Sequence, residues 1–257
     1  KKLKLICVAA TGVNNVDIEY AKYKGIQVCN VRAYGTHSVM QHVFTMLLML
    51  MRNIPRYQRA IKRGDWQKSK EFCLLDYPIE DLTGKTMGIV GYGELGKAVA
   101  KMAEAFAMNV VIATHSGKSH KKNKGVTHLP LEQLLQEVDV LSLHCPLTKQ
   151  TNNLIDESAL ALMKPSAYLI NMARGGIVDE LALKDALLGG RLAGAAIDVL
   201  EEEPPENSSP LFQLDLPQLI ITPHIAWASR TARQALLNQV ADNIKHFYSG
   251  TPQNSVV

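Results

Sequence analysis

The chain is poor in the features that would point away from an ordinary reduced globular protein. Its 257 residues hold only four cysteines, Cys7, Cys29, Cys73 and Cys145, widely scattered and without a C-x-x-C pair. That spacing suggests neither a zinc site nor a disulfide framework, and a reducing cytoplasmic compartment fits it best. No metal site is expected. Long apolar runs are also missing: the longest, Val43 to Met51, is broken by Thr45 and is far too short to span a bilayer. The first residues carry no signal-peptide pattern. Charge of one sign is scarce, with 28 basic against 24 acidic residues. A dispersed net charge of +4 argues against nucleic-acid or anionic-membrane partners. Neither low-complexity segments nor fixed-period repeats occur. With 47% hydrophobic and 20% charged residues, the chain can bury one large core or two smaller ones.

What is present centres on Met87-Gly88-Ile89-Val90-Gly91-Tyr92-Gly93-Glu94-Leu95-Gly96-Lys97. An apolar strand-like run opens directly into G-x-G-x-x-G and then into a helical pattern, the context a dinucleotide-binding fingerprint requires. Gly91 allows the tight turn, Gly93 lets backbone approach a pyrophosphate, and Gly96 lets helix pack on strand. The anion would sit on the helix N-terminus at Glu94 and Leu95.

Alternating strand and helix patterns surround this element. Leu3 to Val8 reads as a strand, Ala9 to Asn15 as a turn-rich loop, Asp17 to Lys24 as a helix stopped by Gly25, and Gln27 to Cys29 as a short strand. A helix follows from about His37, with Val39, Val43, Met46, Leu47 and Leu50 on one face, until Pro55 ends or bends it. Tyr57 to Lys85 is irregular, basic and amphipathic, and reads as a connector or a partner-facing arm. From Thr86 the alternation becomes regular: Met87 to Val90, a helix to Phe106, Val110 to Ala113, a helix around Leu131 to Gln136, and Val140 to Leu143. Tyr168 to Ile170, a helix from Glu180 to Leu188, Ala195 to Ile197 and Leu219 to Ile221 continue it. This predicts an α/β fold with a doubly wound parallel sheet. Ligands of such sheets bind outside the carboxyl ends of the strands.

Three such ends carry an acid–base and anion-binding set. Asn171 to Asp179 contains Arg174, Asp198 to Pro204 contains Glu201, Glu202 and Glu203, and Thr222 to Trp227 contains His224. Reducing a 2-keto acid requires a hydride donor, a cation for the carboxylate and carbonyl, and an acid for the new alkoxide. His224 can supply the proton, a glutamate can fix its tautomer and stabilise imidazolium, and Arg174 offers a fork of donors to a carboxylate. Composition does not choose among the three glutamates.

These motifs together resemble the NAD(P)-dependent D-2-hydroxyacid dehydrogenases over essentially the whole chain. They comprise the loop Ala9 to Asn15, the fingerprint, His144-Cys145-Pro146-Leu147-Thr148 with Thr151, the Arg174 motif, Glu203-Pro204 and Pro223-His224. Within that family, His224-Ile225-Ala226-Trp227 resembles glycerate dehydrogenases, also called hydroxypyruvate reductases. The resemblance implies a catalytic set of Arg174, Glu203 and His224, the acidic partner being the residue immediately before proline. It assigns the nicotinamide side of the cofactor to Cys145, Pro146, Thr151, Met172, Ala173, Arg174, Asp198 and His224. Gly12 and Val13 would offer backbone N–H groups to the substrate carboxylate, and Trp227 would cap a small substrate pocket beside Arg174 and His224. The implied architecture is a Rossmann cofactor domain at 57–227 and a flavodoxin-like substrate domain, N-terminally incomplete, from 1–56 and a helix within 228–257. A homodimer through the cofactor domain and the arm at 57–82 is expected. Another substrate within the family, lactate-like or phosphoglycerate-like, and a dinucleotide-sensing transcriptional co-regulator are the alternatives.

Cofactor choice departs from the commoner pattern. An NAD site places an acidic residue at the end of the second strand, whereas this chain has Thr114, followed by His115, Ser116 and Lys118. No carboxylate repels a 2′-phosphate there, so NADP is favoured over NAD.

Overall fold

The computed structural model describes residues 2–114, 126–206, 209–212 and 214–257. The chain divides into two compact units, 1–38 with 227–257, and 39–226.

The larger unit holds the seven-stranded sheet. Its strands are β3 (Thr86–Val90), β4 (Asn109–Ala113), β5 (Thr127–Leu129), β6 (Val140–Leu143), β7 (Tyr168–Asn171), β8 (Gly194–Ile197) and β9 (Leu219–Ile221). The spatial order is β5-β4-β3-β6-β7-β8-β9, and every pairing is parallel. The order reverses between β3 and β6, which makes the carboxyl edge at those two strands the natural ligand crevice.

Side chains leave successive strand positions on opposite faces, so the sheet sorts its apolar residues into two cores. Met87 and Ile89 of β3, Ile112, Val140, Ile170 and Ala196 face one core, built with α2 (Thr36–Met51) and α5 (Glu94–Ala105). Val90, Val111, Leu141, Leu143, Leu169, Ala195 and Ile197 face the other, built with α6 (Leu131–Glu137), α7 (Glu157–Leu162) and α8 (Glu180–Leu188). Asp156 and Asp179 cap α7 and α8 by accepting backbone N–H groups of their first turns.

The smaller unit pairs β1 (Leu5–Cys7) in parallel with β2 (Gln27–Cys29), alongside α1 (Ile18–Tyr23) and α9 (Arg230–Tyr248). Buried Asn243 donates to the Asn30 carbonyl and accepts from Asn254, tying α9 to the loop after β2 and to the C-terminal segment.

Several expectations need correction. The segment expected to be irregular from Tyr57 begins inside a helix, α3 (Ile54–Arg63), followed by a single turn, α4 (Asp65–Lys68). Pro55 does not bend α2. That helix stops at Met51, Asn53 reverses the chain with φ 51°, and Pro55 starts α3, where its missing N–H costs nothing. Strand β5 and helix α7 were not anticipated, because three residues, Thr127 to Leu129, and six are too short to show a period. The Met and Leu face of α2 is buried against the larger sheet, which places that helix from Val39 onward in the larger compact unit.

Candidate active site

The crevice above β3 carries a dinucleotide-shaped backbone. A Cβ on Gly91 would lie 2.6 Å from the backbone of His144 and Cys145, so only glycine allows the turn, at φ 97°, to touch the loop after β6. A Cβ on Gly96 would lie 2.1 Å from the Gly91 carbonyl oxygen, which sets helix α5 hard against the turn. Gly93, the residue before α5, has open space in front of it and no side-chain cap covers the first N–H groups of the helix. Two crowded glycines and one open one, aimed along a twelve-residue helix, fit the pyrophosphate of a dinucleotide. The residues present therefore suit a nicotinamide cofactor.

Around this cradle, Cys145 is buried with its thiol pushed up by desolvation. Thr151 donates to the Pro146 carbonyl at 2.6 Å and accepts from the Thr148 N–H at 2.7 Å, holding the loop beside the fingerprint in shape. His144 bonds Ser142 Oγ through Nε2 at 2.8 Å, while its buried Nδ1 has no hydrogen-bond partner among the described residues. Burial pushes this imidazole down to about 4, so it stays neutral. Met172 and Ala173 are buried after β7. At the end of β4 the Thr114 hydroxyl donates to the Leu129 carbonyl at 3.2 Å. Its proton is thus engaged with β5 rather than offered to a phosphate. His115, Ser116 and Lys118 lie outside the described residues.

The acid–base pair is assembled at the ends of β8 and β9. His224 Nδ1 lies 2.6 Å from Glu203 Oε2, and the other oxygen, Oε1, accepts the Leu200 N–H at 2.9 Å. Both carboxylate oxygens are therefore held, and Nε2 is the ring nitrogen left for a substrate. The neighbouring Glu201 is engaged elsewhere through its backbone, whose N–H donates to Glu180. His224 has φ 53°, a left-handed conformation uncommon for a residue with a side chain, and its turn is fastened from below. Buried Asp198 accepts the Ile225 and Ala226 N–H groups at 2.9 and 2.8 Å and the Thr222 hydroxyl at 2.5 Å. A cavity of about 710 Å³ lies next to the pair, walled by Leu200, Pro205, Leu211, Phe212 and Ile221 with His224 at its edge.

Arg174 stands at the end of β7, half-buried, with Nη1 donating to the Ala173 carbonyl at 2.7 Å. Asn171 clamps its turn, accepting from the Ala173 N–H and donating to the Arg174 carbonyl. The next residue, Gly175, packs so closely on the following loop that a Cβ would sit 1.8 Å from the Leu200 oxygen. The Arg174 turn thus leans on the residue whose N–H holds Glu203. Gly12, Val13 and Trp227 belong to the smaller unit, where Trp227 meets the edge of Tyr34 at 6.1 Å.

Two participants escaped the sequence reading. His42 lies in α2, taken only for its core face, yet its Nε2 is 3.0 Å from Thr222 Oγ1. Burial pushes His42 down, against the opposing pull of Asp198. Its one visible signal is a polar residue set beside Val43 within an apolar helix. Asn171 was read only as the first residue of the Arg174 motif after Ile170, whereas it closes β7.

A doubly wound parallel sheet with a dinucleotide cradle and a carboxylate-held histidine along one edge defines a nicotinamide-dependent oxidoreductase. The family model described as D-isomer specific 2-hydroxyacid dehydrogenase, NAD binding domain, matches residues 44–226. The chain belongs to that family, whose members act on the CH–OH group of donors with NAD(P). It is 48% identical over 257 residues to a glycerate dehydrogenase of Methylorubrum extorquens, covering 99% of this chain and 79% of that protein. An NADPH-dependent glyoxylate/hydroxypyruvate reductase of Sinorhizobium meliloti, solved with NADP and malonate, superposes with a TM-score of 0.87 at 32% identity, covering 99% of this chain and 78% of that one. A D-lactate dehydrogenase of Aquifex aeolicus, solved with NAD and lactic acid, gives 0.85 at 33% identity, covering 97% and 77%. Among the described residues, no helix is long and apolar enough to cross a membrane.

Proposed function

We propose that this chain reduces a small 2-keto acid, hydroxypyruvate or glyoxylate, to the corresponding 2-hydroxy acid, giving D-glycerate from hydroxypyruvate. The observation that carries the reading is the 2.6 Å pairing of His224 with Glu203 on the sheet edge that bears the dinucleotide cradle. A bound nicotinamide supplies the hydride for the carbonyl carbon. His224, protonated on Nε2, delivers the proton to the carbonyl oxygen, and Glu203 stabilises the imidazolium before transfer and keeps Nδ1–H in place after it. In the reverse direction the same nitrogen accepts the hydroxyl proton. Arg174 swings from the Ala173 carbonyl to hold the substrate carboxylate and polarise the carbonyl.

The similarity to a glycerate dehydrogenase of M. extorquens and a glyoxylate/hydroxypyruvate reductase of S. meliloti supports hydroxypyruvate and glyoxylate as the substrates. Measuring kcat/KM for hydroxypyruvate, glyoxylate, pyruvate and phenylpyruvate tests this: hydroxypyruvate or glyoxylate leads the series, and a lead for phenylpyruvate overturns the small-pocket reading. NADPH is the preferred donor in this reading, because no carboxylate stands at Thr114 to repel a 2′-phosphate. Higher kcat/KM with NADPH, reduced by Thr114→Asp, supports it, and a preference for NADH unmoved by the added carboxylate contradicts it. Two copies pair through the cofactor unit and the arm at 57–82, which exposes Trp66, Phe72 and Leu75. Light scattering reads that mass, and a monomer at micromolar concentration rejects the pairing. The four free thiols suit a cytoplasmic setting.

A further inference from the structure

The left-handed turn that carries His224 is reached by a side chain from a helix 180 residues earlier in the chain. Asp198, as a carboxylate, can only accept, so the Thr222 hydroxyl donates its single proton to Oδ1 at 2.5 Å. Thr222 Oγ1 then has only lone pairs to offer His42, whose Nε2 lies 3.0 Å away and must carry the hydrogen. The chain of bonds therefore converges on Asp198: His42 Nε2–H donates to Thr222 Oγ1, the Thr222 O–H donates to Asp198 Oδ1, and the Ile225 and Ala226 N–H groups that follow His224 donate to the two Asp198 oxygens. The His42 donor polarises the Thr222 O–H toward Asp198. His42 Nε2 is also 3.8 Å from Asp198 Oδ1, so the imidazole faces the carboxylate as well as the hydroxyl.

We propose that His42 is a positioning residue for the reaction: as the terminal donor of this chain it fixes the Thr222 hydroxyl on Asp198 and so sets where His224 presents Nε2 to the substrate. The inference rests on reading His224 as the proton donor. Without the His42 donor, Thr222 Oγ1 turns to water or another acceptor, Asp198 loses a bond on its buried side, and the turn through residues 222–226 gains freedom. The effect falls on proton transfer and not on cofactor binding, because the pyrophosphate cradle at Gly91 to Gly96 is built by other elements and the Ile225 and Ala226 N–H groups still hold both oxygens of Asp198.

The test compares His42→Phe, which removes the donor, with His42→Gln, whose amide N–H occupies the place of Nε2–H, and uses His224→Ala as reference. His42→Phe lowers kcat by about 10- to 100-fold, the scale of a misplacement of up to about 1 Å. The cofactor KM changes by less than about twofold, in line with an intact anion site. The solvent deuterium isotope effect on kcat rises as proton transfer becomes limiting, and His42→Gln recovers turnover to within about threefold of the parent, since one hydrogen bond is restored. Should phenylalanine at 42 fail to fold, Thr222→Val breaks the same chain one bond further on, and Thr222→Ser restores it. Equal losses in His42→Phe and His42→Gln would reduce His42 to packing, and a changed cofactor KM at unchanged kcat would make the chain a cofactor device; either overturns the proposal. Unimpaired His42→Phe beside inactive His224→Ala rejects the positioning role alone, whereas an active His224→Ala rejects the proton-donor reading beneath it.

Discussion

Replacing Gly175 with alanine probes the contact that couples the two halves of the acid–base site. Its added Cβ would stand 1.8 Å from the Leu200 oxygen, 2.1 Å from the Leu200 carbonyl carbon and 2.5 Å from the Glu201 nitrogen, all backbone atoms without a rotamer to yield. Real Cβ contacts essentially never fall under 3.0 Å, so one loop must retreat by about 1.2 Å. Leu200 holds Glu203 Oε1, and Arg174 immediately precedes the glycine, so the retreat moves the carboxylate, the arginine or both. Displacements near 1 Å at a reacting centre cost about 10²-fold in rate, and overpacking of this kind costs about 1–3 kcal/mol of stability. Gly175→Ala should therefore lower kcat for hydroxypyruvate by about 10²-fold or more with a modest loss of thermal midpoint. Steady-state kinetics with thermal unfolding as control reads both. Parental turnover and parental stability would mean that the Gly175–Leu200 contact does not couple the turns.

The glycines of the fingerprint divide in the same way. Gly96→Ala, with its Cβ 2.1 Å from the Gly91 oxygen, disrupts the fold, whereas Gly93→Ala meets open space and leaves the unfolding midpoint unchanged while weakening NADPH binding, measured by nicotinamide fluorescence. Unaltered affinity in Gly93→Ala would place the pyrophosphate elsewhere. His144 makes stability depend on acid: its folded-state value of about 4 lies below the ordinary 6.5, so the unfolded chain takes up the proton first. Its contribution is complete above about 6.5 and is lost as pH falls toward about 4, and His144→Gln flattens that slope in urea titrations at several pH values. An identical slope in the variant would show that other groups set it.

The parts of the site that were legible in the sequence are those written in short stretches. The fingerprint occupies neighbouring residues, and a strand of Met87 to Val90 followed by glycines announces both the turn and the helix. Glu203 was separable from Glu201 and Glu202 only through the resemblance, yet the fold distinguishes it physically, through the Leu200 N–H and His224 Nδ1 on its two oxygens. Distant partnerships were illegible. His42 reads as one polar residue in an apolar helix until β9 brings Thr222 beside it. Thr114 stood out only as the place where an acid is missing, because β5, three residues long and without period, gave no sign of the Leu129 carbonyl that engages its hydroxyl. Helix α3 was lost in a basic stretch whose only boundary marks are Pro55 and Gly64, the latter at φ 80°.

The most direct test of the account is the oxidation of NADPH by hydroxypyruvate in the parent chain and in His224→Ala, followed at saturating substrate with cofactor binding measured in parallel. Loss of the general acid predicts a fall in kcat of about 10²–10⁴-fold with cofactor affinity retained. Turnover in His224→Ala within a few-fold of the parent would contradict the assignment of His224, paired with Glu203, as the group that moves the proton.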